Sequence, residues 1–156
     1  MVGVIKKSYV FKKTSSSEIS LDYYTPEVSK AKRPLIVWFH PGGLILGSKN
    51  DIPKEQLDLY LENGFSLASV DYRLAPETKI KEIVEDAFDS IKWIKSNSDL
   101  LKIDPNKIAV VGHSAGGYMA LLLGARAVLQ LKAIVSFYGY GNFRWYLDPS
   151  EHYLKQ

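Results

Sequence analysis

The sequence predicts an α/β fold, in which helices cover both faces of a mostly parallel sheet that begins with an antiparallel hairpin. Short, nearly continuous apolar runs alternate with helix-length segments, which is typical of parallel strands joined by right-handed crossovers. The chain has 156 residues, of which 46% are hydrophobic and 24% charged. A chain of this size and composition can bury a core, so residues 1–156 are treated as a single domain.

The antiparallel hairpin is predicted near the start of the chain. Over residues 18–24 apolar and polar side chains alternate, which is the period of a half-buried strand. The antiparallel partner is the run over residues 4–11, and the polar stretch 12–17 forms the turn. The hairpin is expected at one edge of the sheet.

The later strands are apolar almost without interruption, and this pattern indicates burial on both faces. They are predicted over residues 35–39, 65–70, 108–111 and 133–137.

Three helices are predicted between these strands. The first has Asp51 as its cap and Gly64 as its end. The second is capped by Thr78 and carries apolar residues at spacings of three and four as far as Ile94. The third covers residues 115–128 and is apolar on nearly every side, so it should pack deep against the sheet.

Composition and charge exclude several classes of function. The net charge is +3: the first 33 residues carry +4 and the remaining residues carry −1. The positive residues are mostly lysine pairs beside the predicted hairpin turn, where solvated lysines are common. We therefore expect no nucleic-acid binding. The chain has no cysteine, which excludes disulfides and thiolate metal sites and fits a reducing compartment. No secretory signal or membrane span is recognisable, and a cytoplasmic protein without a metal is expected.

The motif GHSAGG at residues 112–117 stands between the strand over 108–111 and the apolar third helix. In such a strand–turn–helix elbow, glycines at positions 112 and 116 permit close approach of neighbouring backbone. Ser114 would project from the carboxyl end of the strand. It also lies at a helix start, where free N–H groups favour a developing negative charge. The motif therefore predicts Ser114 as a nucleophile.

A second motif, HPGG at residues 40–43, follows the first buried strand. Acyl transfer passes through an oxyanion that needs converging N–H donors, and glycine lets the backbone approach a substrate. On its own, a glycine-rich turn that leaves a strand is better explained by structure than by function. The presence of both motifs at the carboxyl ends of inner strands favours a binding site there.

Three ordered motifs, HPGG at 40–43, SVDYRLAPE at 69–77 and GHSAGG at 112–117, resemble the hormone-sensitive-lipase-like branch of the α/β-hydrolase fold. This branch contains serine carboxylesterases and lipases. The resemblance runs from about residue 18 to about residue 140. It implies the α/β-hydrolase fold and hydrolysis of short or medium acyl esters through an acyl-enzyme, with a small-molecule ester as substrate and no cofactor.

By this resemblance Ser114 is the nucleophile, and the N–H groups of Gly42, Gly43 and Ala115 form the oxyanion hole. His40 would orient the glycine loop, and Gly112 and Gly116 would support the elbow.

Two further positions are interpreted as structural. Pro41 departs from the HGGG motif that is usual in this family. Proline has no backbone N–H, but position 41 is not one of the predicted oxyanion-hole donors, so none of them is lost. Asp86, in the second helix, is expected to be solvated or bonded to a loop.

A serine nucleophile needs a base and an acid that orients this base. In this fold the order is Ser, then Asp or Glu, then His, and the family takes the last two from separate downstream loops. Only 42 residues follow Ser114. Asp148 and His152 have the right order but lie four residues apart, so they are weak substitutes. His113 is expected to point away from Ser114, and His40 already has a loop role.

We therefore expect an N-terminal portion of the fold, whose C-terminal strands, acid and histidine are missing, and a chain that is weakly active or inactive. An alternative is a non-catalytic or partner-dependent module, which would form a homo-oligomer through its last strand at 133–137. An acyltransferase with the same elbow also stays open. The stretch GGLILGSK at 42–49 imitates a phosphate-binding loop, but Ser48 precedes Lys49, which is the wrong order.

Overall fold

The sheet carries six strands among residues 3–27 and 32–141, which are the residues that this computed structural model describes. Their order across the sheet is β1-β2-β4-β3-β5-β6. β1 pairs antiparallel with β2, β2 pairs antiparallel with β4, and the other neighbours are parallel. The predicted α/β architecture and its N-terminal edge hairpin are therefore confirmed. The strands are β1 Val4–Lys13, β2 Glu18–Pro26, β3 Arg33–Phe39, β4 Ser66–Val70, β5 Ile103–His113 and β6 Ala133–Phe137.

Helices pack on both faces of this sheet, as the sequence predicts. The larger core lies between the sheet and α2 and α4, and it includes Val37 of β3, Ile91 of α2 and Met119 of α4. The smaller core lies on the opposite face, where Leu61 of α1 packs with Trp38 of β3. The helices are α1 Lys54–Glu62, α2 Ile80–Ser96, α3 Ser98–Leu101 and α4 Ala115–Gly124. None of the helices in the described part of the chain is both long and apolar enough to cross a membrane.

The helix limits differ from the expected ones where a side chain has another local partner. Asp51 closes a 3₁₀ turn by accepting a hydrogen bond from the N–H of Ser48 at 2.7 Å, so α1 begins only after Pro53. The cap of α2 is Lys79 and not Thr78. α4 ends at Gly124, four residues early, because the chain turns there into a second 3₁₀ turn that buries Leu129. The short helix α3 was not expected.

β6 contradicts the prediction that all the later strands are buried on both faces. Ile134 packs against the larger core, but Val135 is 39% exposed and Phe137 is 41% exposed. The physical reason is that no described element covers this strand on the face opposite α4.

Asp86 corrects another expectation, because it is completely buried. Its carboxylate accepts hydrogen bonds from Nε of Arg73 at 2.7 Å, from the backbone N–H of Arg73 at 3.1 Å and from Nζ of Lys12 at 2.7 Å. The loop-bonding interpretation is correct and the solvated one is wrong. Lys12, expected to be solvated, contacts Asp89 as well and is 21% exposed. One carboxylate therefore joins β1, the segment after β4 and α2.

We predict that Asp86→Asn lowers the free energy of unfolding by about 3 kcal/mol, because it leaves two partly buried cations without this charged partner. Urea denaturation of both proteins measures the change. Asp89→Asn is the control: Asp89 lies on the same helix and also contacts Lys12, but it is more exposed, so its loss should stay below about 1 kcal/mol. Equal losses for the two variants would contradict this account.

Candidate active site

Ser114 sits at the junction of β5 and α4 with a strained backbone. Its φ is 52° and its ψ is −113°, a conformation that residues with a Cβ rarely adopt. Strain of this kind costs about 1–3 kcal/mol and clusters at functional sites. Two hydrogen bonds hold the residue: its N–H donates to the carbonyl of Phe137 at 2.9 Å, and its carbonyl accepts from the N–H of Tyr118 at 3.0 Å. The elbow predicted from the sequence is thus present as a backbone geometry.

The positions of Gly112 and Gly116, on either side of Ser114, leave no room for a side chain. A Cβ on Gly112 would lie 2.0 Å from the carbonyl oxygen of Gly116. A Cβ on Gly116 would lie 2.0 Å from the carbonyl oxygen of Phe39, the last residue of β3. The elbow therefore rests directly on the end of the neighbouring strand, from which the HPGG segment departs.

The HPGG segment forms a tight loop with three successive residues at positive φ. Gly42 has a φ of 121°, Gly43 of 62° and Leu44 of 66°. The N–H groups of Ile45 and Leu46 both donate to the carbonyl of Gly42, at 3.0 and 3.1 Å. A Cβ on Gly42 would collide with the backbone of Leu46, whereas one on Gly43 would meet no atom closer than 3.7 Å. The backbone at Gly43 therefore has open space for an approaching group.

His40 is completely buried and stacks on the ring of Tyr72, with 4.0 Å between ring centroids and 7° between ring planes. Its Nδ1 lies 2.7 Å from the carbonyl oxygen of Pro41, which can only accept, so Nδ1 carries the hydrogen. The hydroxyl of Tyr72 donates to the carbonyl of His40 at 2.7 Å. Burial lowers the pKa of His40 and raises that of Tyr72, so both stay neutral near pH 7. This arrangement fits the predicted role of His40 in orienting the loop.

The other end of the loop is anchored by Lys49, a role that the sequence did not reveal. Its N–H donates to Asp71 at 2.7 Å, and its Nζ lies 3.2 Å from the same carboxylate and 3.6 Å from that of Asp22. The hydroxyl of Ser69 donates to the carbonyl of Lys49 at 2.6 Å. The only available signal was the charged DYR segment within the SVDYRLAPE motif, and the sequence names no partner for its aspartate.

Ala115 is completely buried in the first turn of α4. An N–H group in a first helical turn has no acceptor within the helix and can donate to a ligand. The glycine loop and this helix start lie at the carboxyl ends of β3 and β5, which are paired with Phe39 beside Gly112. The structure therefore brings the two predicted donor segments to one edge of the sheet. Their function as an oxyanion hole stays a prediction.

The histidines of the described residues are His40 and His113, and each ring packs against another aromatic side chain. The ring of His113 packs edge-on against Phe137, with centroids 4.9 Å apart, and lies 5.8 Å from Trp38. Its Nδ1 is 3.0 Å from the hydroxyl of Tyr138, and burial lowers its pKa. The ring shares the sheet face of the smaller core, as expected for a side chain that points away from the serine.

The candidate acid and base, Asp148 and His152, lie outside the described residues. Within 3–27 and 32–141, no group of three or more His, Cys, Asp or Glu side chains could hold a metal ion.

An esterase-like α/β-hydrolase is the class of protein that this fold and its elbow define. The chain matches the BD-FAE family model over residues 21–152 and belongs to that family. The predicted α/β-hydrolase relationship is thereby confirmed.

Solved esterases share this architecture. A bacterial heroin esterase is 30% identical with a TM-score of 0.70, and the match covers 79% of this chain and 40% of the esterase. An esterase of Thermogutta terrifontis, Est2, is 30% identical with a TM-score of 0.68 over 73% of this chain and 42% of its own. This chain thus spans about two fifths of the solved esterases that it matches.

Curated relatives include much longer proteins. The non-reducing polyketide synthase ausA of Emericella nidulans is 33% identical over 94% of this chain and 6% of the synthase. The methylphloroacetophenone synthase of Cladonia uncialis is 34% identical over 82% of this chain and 6% of the synthase.

We predict that Gly116→Ala destabilises the protein by about 3 kcal/mol or more, because the added methyl group has to displace the backbone at the end of β3. Thermal and urea unfolding measure this loss. The control is Gly141→Ala, at a glycine whose Cβ would meet nothing within 4 Å. It should change stability by less than about 0.5 kcal/mol. A tolerated Gly116→Ala would contradict the close contact between elbow and strand.

We predict that the free energy of unfolding falls as the pH drops below about 6.5. Burial lowers the pKa of His40 and His113, so the unfolded chain binds protons before the folded one does. Their contribution is present above the unfolded pKa of about 6.5 and is lost as the pH falls toward the lower folded values. Urea unfolding between about pH 7.5 and 5.5 measures the slope, which His40→Asn should reduce. An unchanged slope in that variant would contradict the assignment.

Proposed function

We propose that this protein is a serine hydrolase acting on carboxylic esters through an acyl-enzyme on Ser114. The observation that carries the proposal is the strained backbone of Ser114, held in an elbow that packs against the start of a glycine loop. Family membership and the similarity to solved esterases support the same chemistry.

The reaction would proceed in two steps. Oγ of Ser114 attacks the ester carbonyl carbon, and the carbonyl electrons move onto the oxygen. The N–H groups of Gly42, Gly43 and Ala115 donate to this oxyanion. Its collapse breaks the bond to the alkoxide, which takes up a proton and leaves as the alcohol. Water then attacks the acyl-serine by the same route, releases the carboxylic acid and restores the serine hydroxyl.

The proton of the serine hydroxyl needs an acceptor, and this requirement limits the proposed rate. Neither of the histidines in the described residues is available, because His40 is buried beneath the loop and His113 packs among aromatic rings on the other face. A serine enzyme that loses its histidine loses on the order of 10⁶ in kcat. We therefore propose that the chain by itself turns over esters very slowly.

Short acyl groups are the proposed substrate class. Structures of the Thermogutta terrifontis esterase are known with propionate and with butyrate bound. In this chain the exposed side chains of Ile45 and Leu46 lie beside the two glycines of the loop, where they offer an apolar surface.

We predict slow hydrolysis of p-nitrophenyl butyrate that Ser114→Ala reduces to the uncatalysed rate, together with slow labelling of Ser114 by a fluorophosphonate. Ser15→Ala, in the exposed hairpin turn, is the matched serine control and should leave both signals unchanged. Labelling that persists in Ser114→Ala would contradict the nucleophile. Rapid turnover that Ser114→Ala abolishes would contradict the proposed weakness, and its loss in His152→Ala would identify the base.

A second candidate is a partner-dependent module without catalysis of its own. The observation that favours it is the half-exposed strand β6, which within residues 3–27 and 32–141 pairs with β5 alone. In that case Ser114→Ala has no effect on either assay, while the mass in solution exceeds that of one chain.

A further inference from the structure

A row of polar side chains crosses three strands of the sheet near the end of the glycine loop. Ser8 of β1 lies opposite Asp22 of β2, and Asp22 lies opposite Ser69 of β4. Asp22 and Ser69 are almost completely buried. From the side of β1, Ser8 and Lys6 each contact the carboxylate of Asp22 at 2.6 Å. Buried polar groups are costly unless they are hydrogen-bonded, so this row is a place in the sheet that requires polar partners.

Lys49 binds the row from the side of the loop. Its ammonium group lies 3.2 Å from the carboxylate of Asp71 and 3.6 Å from that of Asp22, and it donates to the hydroxyl of Ser20. Its N–H donates to Asp71 and its carbonyl accepts from Ser69. The side chain is 16% exposed, and a lysine this buried is almost always paired. Backbone and side chain of Lys49 are therefore both bound to β2, β4 and the segment after β4.

Gly47 connects this fixed end of the loop to its beginning. A Cβ on Gly47 would lie 2.5 Å from Nδ1 of His40 and 2.5 Å from the carbonyl oxygen of Pro41, so the two ends of the loop are in direct contact. Gly42 follows Pro41, and its carbonyl accepts two hydrogen bonds from the returning half of the loop. The loop closes on itself, and a displacement of Lys49 would therefore shift the backbone at Gly42.

We propose that Lys49 is a positioning residue for the oxyanion hole, which holds the N–H groups of Gly42 and Gly43 where negative charge develops on the substrate. Lys49 acts through the loop and not on the substrate. This inference rests on the proposed ester hydrolysis. Such donors accelerate a reaction only when they are preorganised, and a misplacement of about 1 Å can cost about 100-fold in rate. Loss of Lys49 should therefore slow acylation more than it weakens binding.

Lys49→Met tests this role, because methionine keeps an unbranched side chain and removes the charge. Fluorophosphonate is the probe: Oγ of Ser114 displaces its fluoride, and the phosphoryl oxygen takes the place of the ester oxyanion. We predict that the labelling rate at saturation falls about tenfold, while the half-saturating concentration changes less than about twofold. Lys49→Arg should restore most of the rate. Lys54→Met is the matched control, since Lys54 is 78% exposed, and it should label at the wild-type rate.

Amide hydrogen exchange tests the loop without any catalysis. In Lys49→Met the amides of Ile45 and Leu46, which donate to the carbonyl of Gly42, should exchange about tenfold faster, while the amides of β3 and β5 keep their protection. Ser69→Ala removes only the hydrogen bond to the carbonyl of Lys49 and should increase exchange of the same two amides to a smaller extent. This second variant tests the proposal even if Lys49→Met does not fold.

Failure of this proposal and failure of the proposed hydrolysis give different results. If the wild-type chain is not labelled at Ser114, the hydrolysis is wrong and the role of Lys49 in it is wrong as well. If Ser114 is labelled but Lys49→Met reacts at the wild-type rate, or reacts slowly with unchanged loop exchange, only the positioning role is overturned. Lys49→Arg reacting as slowly as Lys49→Met also overturns it. Slower labelling together with faster loop exchange supports the proposal.

Discussion

The contact between the serine elbow and the end of β3 is the constraint on which the rest of the site depends. The carbonyl of Phe39 occupies the space that a side chain on residue 116 would need. In the same way, the carbonyl of Gly116 occupies the space that a side chain on residue 112 would need. Because backbone meets backbone, α4 can begin directly above two strands that lie side by side. Ser114 and the glycine loop are consequently placed by the sheet itself, and their relative position does not rely on long side chains.

Polar side chains then hold the glycine loop in place at both of its ends. The glycine loop is held at its start by the stack of His40 on Tyr72 and at its end by the ion pair of Lys49 with Asp71. Both partners, Tyr72 and Asp71, belong to one short segment after β4, and Arg73 of the same segment is tied to the buried Asp86. Three consecutive residues thus connect the loop to the core, which gives a physical meaning to the DYR motif.

Much of this architecture could be predicted from the sequence, because it rests on local patterns. Strand alternation, apolar runs and the two glycine motifs located the hairpin, the inner strands and the elbow of Ser114. The partners of Asp86 and Lys49 could not be predicted, because these partners lie far away in the sequence. The identity of a charged residue does not indicate which opposite charge it will contact. The exposure of β6 was missed for a related reason. An apolar run shows what a strand would prefer to bury, but not whether any element is present to bury it.

The hydrogen bond from the N–H of Ser114 to the carbonyl of Phe137 links the elbow to the end of β6. When β6 frays, this bond opens and the serine is free to relax from its strained conformation, so local opening at this edge is favoured by the strain that is released. The strained geometry of Ser114 therefore depends on β6 remaining docked against β5.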